Sequence, residues 1–231
     1  SKKWETKLFV IEKEIKELFS VQDVFERDVL KGKDGNIPRI YFDRHIYLPL
    51  LLEDQNNVIQ STPPGLNPGE WKFLKDMKKF FQSPDAKKQF EGYEVFVLRN
   101  QSRGHGVGFL LEEERYFPDF IVWVKNGEEQ HICFIDPKGL QHQINVKENN
   151  KVQFSKEIKS YEKQLNEKRG NDQVQLHSFI ISQTDLDEVK KNNEVKSVAV
   201  LNEMNIFFPE QDGYVDGVFR RVLGNKKPIE Y

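Results

Sequence analysis

The sequence predicts an α/β domain in which helices flank a mixed central sheet, preceded by a mostly helical N-terminal extension. Apolar residues recur at helical spacing over 71–81 and again over 152–167. Between these helices, residues 93–136 read as strands separated by turn residues. Two of those strands, 117–124 and 131–136, are apolar on both faces, so we expect them to be central strands covered by helices.

The N-terminal extension, residues 1–66, combines a predicted helix with irregular chain. Apolar side chains repeat at helical intervals over residues 4–30, whereas 31–69 contain turn-rich sequences and are expected to be irregular. We divide the remainder into a core at 67–210 and a C-terminal tail at 211–231. Because the chain begins at Ser1 rather than Met, we expect it to be a processed protein or a fragment of a longer polypeptide.

The first core helix has a well-marked start. Asn67 is a suitable N-cap, Pro68 suits the first helical position, and the Glu70 carboxylate favours the positive end of the helix dipole. This helix is predicted to continue to about Gln82, with a second short helix at 84–91.

Strands are predicted next at 93–100, from 108 to a charged turn, at 117–124 and at 131–136, the last two joined by a turn at Asn126-Gly127. A helix at 152–167 and a buried strand at 175–184 follow, with a weaker strand at 198–203. From 67 to 184 the coarse order is helix, three strands, helix, strand, where the three strands are those that begin at 108, 117 and 131.

Composition excludes several classes of protein. The 231 residues include 35 Lys+Arg and 37 Asp+Glu, and this balance excludes a wholly basic, histone-like binder but not a local basic groove. A single cysteine excludes a disulfide framework and favours a reducing compartment, so we expect a cytoplasmic protein. No apolar stretch approaches the ~20 residues of a membrane helix, and no membrane partner is expected.

The chemically informative residues are Pro118-Asp119 and Asp136-Pro137-Lys138. If the Asn126-Gly127 turn pairs their two strands antiparallel, Asp119 lies beside Asp136, and Lys138 projects from the same face as Asp136. Two converging carboxylates favour a cation between them, and oxygen ligands suit Mg²⁺ or Mn²⁺. The Pro137 carbonyl is a further possible ligand. With a lysine to orient water, these are the components of metal-assisted phosphodiester hydrolysis.

The motifs PD at 118–119 and DPK at 136–138 resemble those of the PD-(D/E)XK nuclease superfamily. Flanking blocks resemble the nuclease-like domain at the C-terminus of type III restriction and DEAD/DEAH-box helicase subunits: LNPGEWKFLKDMKKFF (66–81), VLRNQSRGHGVGF (97–109), YFPDFIVWV (116–124), FIDPKGL (134–140) and SFIISQT (178–184). The resemblance implies a restriction-endonuclease-like fold, with a core of helix, three strands, helix and strand.

The resemblance also implies roles for individual residues. Asp119 and Asp136 would bind Mg²⁺, for which Mn²⁺ substitutes, and Lys138 would be the catalytic lysine. The family often adds a glutamate from the first core helix, for which Glu70 is preferred over the charged turn at 112–114. The implied partners are DNA, a helicase/ATPase region of the same or a companion chain, and a methyltransferase subunit.

Other interpretations stay open at this stage. Each aspartate alone is compatible with a structural role, in which its carboxylate accepts hydrogen bonds from backbone amides. Lys138 is compatible with an ion pair to Asp136 in an inactive relative of the nucleases. Such a domain would bind nucleic acid or dock a subunit without catalysis. RNA cleavage shares the same chemistry. The basic residues of the 152–167 helix suit either a solvated surface or a groove for a phosphate backbone.

Overall fold

A computed structural model of the chain describes residues 39–40, 50–51, 66–101, 106–111, 114–137, 140 and 145–224. The chain divides into two compact units, residues 1–67 and 68–231. In the first unit, strands β1 (Arg39–Ile40) and β2 (Leu50–Leu51) pair antiparallel within the segment expected to be irregular. The helix predicted at 4–30 lies outside the described residues.

The second unit contains seven strands among its described residues: β3 (Glu94–Arg99), β4 (Phe109–Leu111), β5 (Glu114–Tyr116), β6 (Phe120–Asn126), β7 (Glu129–Asp136), β8 (Val174–Ile181) and β9 (Ile206–Phe207). Five of them form one mixed sheet in the order β3-β6-β7-β8-β9. The β3–β6 and β6–β7 pairs are antiparallel, and the β7–β8 and β8–β9 pairs are parallel. The predicted α/β class with a mixed central sheet is confirmed.

The helices of this unit are α1 (Pro68–Gln82), α2 (Pro84–Gln89), α3 (Asn150–Arg169), α4 (Leu186–Asn192), α5 (Val198–Glu203) and α6 (Tyr214–Val222). The predictions of helices at 67–82, 84–91 and 152–167 are confirmed. Gly127 has φ +58° in the turn that joins β6 to β7, a conformation that glycine adopts without steric cost.

Two strand predictions were wrong in part. The strand at 109–111 pairs with 114–116 in a separate two-stranded hairpin, not with the central sheet. Residues 198–203 form helix α5, because the Ser197 hydroxyl caps it by accepting from the Ala199 amide and helical spacing buries Leu201. The short edge strand lies beyond this helix, at Ile206–Phe207.

Helices cover both faces of the central sheet. On one face, Phe73 of α1 lies 5.8 Å from Phe120, measured between ring centroids. On the other, Phe154 of α3 packs in one cluster with Ile121 and Phe134. Because neighbouring strand residues point to opposite faces, the sheet is the middle of three layers. Within the described part of the chain, no helix has the length and apolarity to span a bilayer.

Candidate active site

Asp119 and Asp136 lie at the same end of the β6–β7 hairpin. Phe120 is the register partner of Ile135. Asp119 immediately precedes Phe120, and Asp136 immediately follows Ile135. The predicted antiparallel pairing is therefore present. The two carboxylates also share a neighbour, because the charges of Asp136 and Asp119 both act on the Tyr116 hydroxyl. The fold thus brings together two acidic residues that are 17 positions apart (136 − 119) in sequence.

Asp136 is buried, with 3% of its surface exposed. Its Oδ2 accepts a hydrogen bond from Lys151 Nζ at 2.9 Å. Its Oδ1 is also buried and has no hydrogen-bond partner among the described residues. A buried carboxylate oxygen without a partner is costly unless an ion, a water or another group completes the site.

Tyr116 forms one wall of this site, on strand β5 of the small hairpin. Lys151 Nζ lies 5.0 Å from the centre of the Tyr116 ring, within the range of a cation–π interaction. Burial raises the pKa of Tyr116 well above its ordinary value, and the negative charges of Asp136 and Asp119 add to the rise. Tyr116 is therefore a neutral phenol at any physiological pH.

Glu70 lies in the first turn of α1, where its Oε2 accepts a hydrogen bond from Arg99 Nη2 at 3.1 Å. The two side chains are only 7% and 9% exposed. Burial lowers the pKa of Arg99, while the charges of Glu70 and Asp119 oppose the shift. Arg99 is the register partner of Phe120, which packs against α1. Glu70 thus approaches Asp119 through Arg99, from the face of the sheet opposite to α3.

Gln183 joins three parts of the chain around the site. Its Nε2 donates a hydrogen bond to the Pro137 carbonyl at 2.9 Å. Its amide also occupies the space that a Cβ on Gly69 would take, next to Glu70 in α1. The Pro137 carbonyl, a candidate metal ligand, therefore already accepts one hydrogen bond and retains its second lone pair.

Asn100 makes hydrogen bonds to the backbone at Pro118 and Asp119. Its Nδ2 donates to the carbonyls of Pro118, at 2.8 Å, and of Val107, at 2.7 Å. Its Oδ1 accepts from the Val107 amide at 2.9 Å, and its own amide donates to the Asp119 carbonyl at 2.8 Å. These bonds connect the glycine-rich loop before β4 to the Pro118-Asp119 motif, and they position the Asp119 backbone.

Several sequence-predicted residues cannot be placed. Lys138 and the glutamates 112 and 113 lie outside the described residues, as does the side chain of Glu114. Strand β7 ends at Asp136, and the direction of the Lys138 side chain stays a prediction. Cys133 is fully buried, as expected for a core residue.

Asp119, Asp136 and the Pro137 carbonyl offer only oxygen donors, the ligand type that Mg²⁺ prefers. Within the described ranges, no three His, Cys, Asp or Glu side chains are grouped closely enough to hold a metal ion. Magnesium, however, commonly binds to one or two carboxylates and keeps several waters. Asp119, Asp136 and the Pro137 carbonyl are ligand groups of that kind, and Oδ1 of Asp136 has no hydrogen-bond partner among the described residues.

Sequence reasoning missed Lys151 and Gln183 as members of the site, although each had a signal. Lys151 is a cation in the first turn of a helix, where the dipole disfavours positive charge. Gln183 follows a buried strand, and parallel pairing of β8 with β7 brings the carboxyl ends of both strands to one edge. Arg99, whose partner Glu70 was the expected third carboxylate, is buried against it.

Comparison with known proteins adds no family to this description. No protein-family model matches the sequence, and no curated protein and no solved structure matches it either.

Proposed function

We propose that this protein is a Mg²⁺-dependent DNA endonuclease domain that belongs to a restriction or defence helicase–nuclease. The observation that carries the proposal is Asp136, a buried carboxylate at the end of a central strand. One of its oxygens has no hydrogen-bond partner among the described residues. The start of the antiparallel neighbour supplies a second carboxylate, Asp119. Such a pair is suited to a divalent cation.

The observed element order supports the same proposal. Helix α1, strands β3, β6 and β7, helix α3 and strand β8 follow one another around the central sheet, with the β4–β5 hairpin inserted between β3 and β6. This is the order helix, three strands, helix, strand that the resemblance to PD-(D/E)XK nucleases implies. In this scheme the two aspartates lie at the ends of adjacent central strands.

Each residue has a distinct role in the proposed reaction. Asp119 and Asp136 would hold the ion together with the Pro137 carbonyl, while Gln183 fixes that carbonyl by its hydrogen bond. Bound Mg²⁺ would supply Lewis acidity and lower the pKa of a bound water. Lys138 would orient the attacking water by donating a hydrogen bond to it. Glu70 would act chiefly by holding Arg99 beside Asp119.

A second candidate function is a catalytically inactive module that binds nucleic acid or docks a subunit of the same helicase. One observation favours it: Lys151 already neutralises Asp136 through an ion pair of 2.9 Å. A pair of this kind balances the buried charge of Asp136 without any metal, and removing either partner would leave an uncompensated charge. The two candidates differ in metal binding and in cleavage.

The test uses the full 231-residue chain, supercoiled plasmid DNA, and Mg²⁺ or Mn²⁺. We expect the wild type to nick the plasmid, and Asp136→Asn, Asp119→Asn and Lys138→Ala to lower the rate by at least about a hundredfold. Asp172→Asn changes an exposed aspartate beyond α3 and is the matched control, with wild-type activity expected. Single-stranded DNA and RNA of the same sequence define the substrate.

Two outcomes decide against the proposal. If the three site variants cut as well as the wild type, the activity does not come from these residues. If the wild type neither binds Mn²⁺ nor cuts any of the substrates, the docking module is the better description. Metal binding is measured first, since cleavage by the helicase–nuclease could require the motor region.

A further inference from the structure

Lys151 lies in a position that helix stability does not explain. It is in the first turn of α3, where Asn149 caps the helix by accepting from the amides of Lys151 and Val152. A positive charge at this end opposes the helix dipole, and the sequence has no acidic residue in that turn to offset it. The favourable contacts of Lys151 are those with Asp136 and with the Tyr116 ring.

The ion pair occupies one half of the Asp136 carboxylate. Lys151 Nζ donates a hydrogen bond to Oδ2, while Oδ1 has no hydrogen-bond partner in the part of the chain that the structure describes. The two oxygens of a carboxylate share one carbon, so an ion at Oδ1 would lie within a few ångströms of the ammonium group. Like charges at that separation repel strongly in a site where Asp136 is only 3% exposed.

We propose that Lys151 is a built-in counter-ion that balances the buried charge of Asp136 before a metal binds and sets how tightly the site binds a divalent cation. This inference rests on the proposed function, because it assumes that Asp136 is a metal ligand. Before metal binds, Lys151 balances the buried charge of Asp136. When metal binds, the ammonium group has to leave Oδ2 or remain beside a second cation. Lys151 is 29% exposed at its side chain, so it has a route to solvent.

The consequence is that the wild-type site binds a divalent cation weakly and is filled only at a high metal concentration. Neutralising Lys151 removes the competing charge, so a variant without it binds the ion more tightly. Lys151→Gln retains a hydrogen-bond donor near Asp136 and loses only the charge, while Lys151→Met removes both. Lys163 lies on the same helix with its side chain 79% exposed, so Lys163→Gln is the matched control for net charge.

The experiment titrates Mn²⁺ alone into the 231-residue wild type and its variants, by isothermal titration calorimetry or by the electron paramagnetic resonance of free Mn²⁺. We expect Lys151→Gln and Lys151→Met to bind Mn²⁺ about tenfold more tightly than the wild type, a modest effect for a neighbouring unit charge. Lys163→Gln is expected to bind as the wild type does. Circular dichroism establishes that each variant is folded.

A second measurement observes the wild-type site directly and uses a substitution only to assign its resonance. The lysine ammonium resonances of ¹⁵N-labelled wild-type protein are recorded with and without Mg²⁺, and that of Lys151 is assigned from the spectrum of Lys151→Arg. We expect Mg²⁺ to move the Lys151 resonance and leave that of Lys163 in place. A Lys151 resonance that stays in place at saturating Mg²⁺ overturns the proposal even if the charge-removing variants fail to fold.

The failures of the two proposals are distinguishable. If the wild type binds no Mn²⁺, the metal-dependent function itself is wrong. If the wild type binds Mn²⁺ but folded Lys151→Gln binds it equally or less tightly, only the counter-ion role is wrong, and Lys151 is then a structural partner of Asp136.

Discussion

The Glu70–Arg99 ion pair offers the most quantitative test of how the site is held together. Both side chains are nearly buried, at 7% and 9% exposure, and the Nη2–Oε2 distance is 3.1 Å. At that distance and an effective dielectric constant of about 20, the Coulomb attraction is about 5 kcal/mol. The cost of removing both charges from water offsets most of this attraction.

A single substitution in this pair is therefore expected to lower the free energy of unfolding by more than the intact pair contributes to it. Arg99→Met leaves the buried Glu70 carboxylate without its guanidinium and should lower the free energy of unfolding by about 3–5 kcal/mol. Glu70→Gln should cost less, about 2 kcal/mol, because Arg99 keeps the charge of Asp119 as a partner. The double variant should be more stable than the sum of the two losses predicts, by about 1–3 kcal/mol.

Urea denaturation followed by tryptophan fluorescence measures these energies. The chain has 3 tryptophans, and a Trp4→Phe background leaves Trp71 and Trp123, both in the unit 68–231. Losses that add to within about 0.5 kcal/mol in the double variant would refute the coupling. The same Glu70→Gln sample, titrated with Mn²⁺, should lose less metal affinity than Asp136→Asn, since Glu70 acts through Arg99.

Two further predictions concern packing and pH. Gly69→Ala should displace the Gln183 amide and cost about 1 kcal/mol by breaking its bond to Pro137. Gln183→Ala should lower the free energy of unfolding by a similar amount, and the double variant should lose less than the sum of the two single losses. Urea denaturation of all three variants measures these losses. Additive losses would contradict the contact between Gly69 and Gln183. Burial, with the charges of Lys159 and His131, lowers the pKa of His177 to about 3. Because this pKa lies below the ordinary value of 6.5, the stability that neutral His177 contributes is complete above pH 6.5. It is lost as the pH falls from there toward 3, by about 2 kcal/mol at pH 5. Urea denaturation at pH 7, 6 and 5 should show that the stability of His177→Gln depends less steeply on pH than that of the wild type. Parallel curves of stability against pH for the two proteins would contradict this role of His177.

The elements that sequence reasoning predicted correctly are those with local signals. Helix α1 begins at Pro68 and ends at Gln82, as predicted from the cap, the proline and the periodic apolar face. The β6–β7 hairpin follows from two apolar runs around a glycine turn, and this hairpin alone places Asp119 beside the end of β7.

What sequence reasoning missed depends on contacts between distant segments. Residues 198–203 have β-branched character, but burial of one helical face decides their structure. Lys151 reaches Asp136 because α3 crosses back over the sheet between the parallel strands β7 and β8. Gln183 reaches Pro137 for the same reason. Neither contact follows from spacing along the chain.

The most direct test of the central claim is a crystal of the protein soaked in Mn²⁺, examined for anomalous scattering at the metal's absorption edge. The account predicts one strong peak within bonding distance of carboxylate oxygens from both Asp119 and Asp136, and its loss in Asp136→Asn. An empty site at saturating Mn²⁺, with Lys151 still paired to Asp136, would contradict the metal-dependent mechanism and favour the docking module.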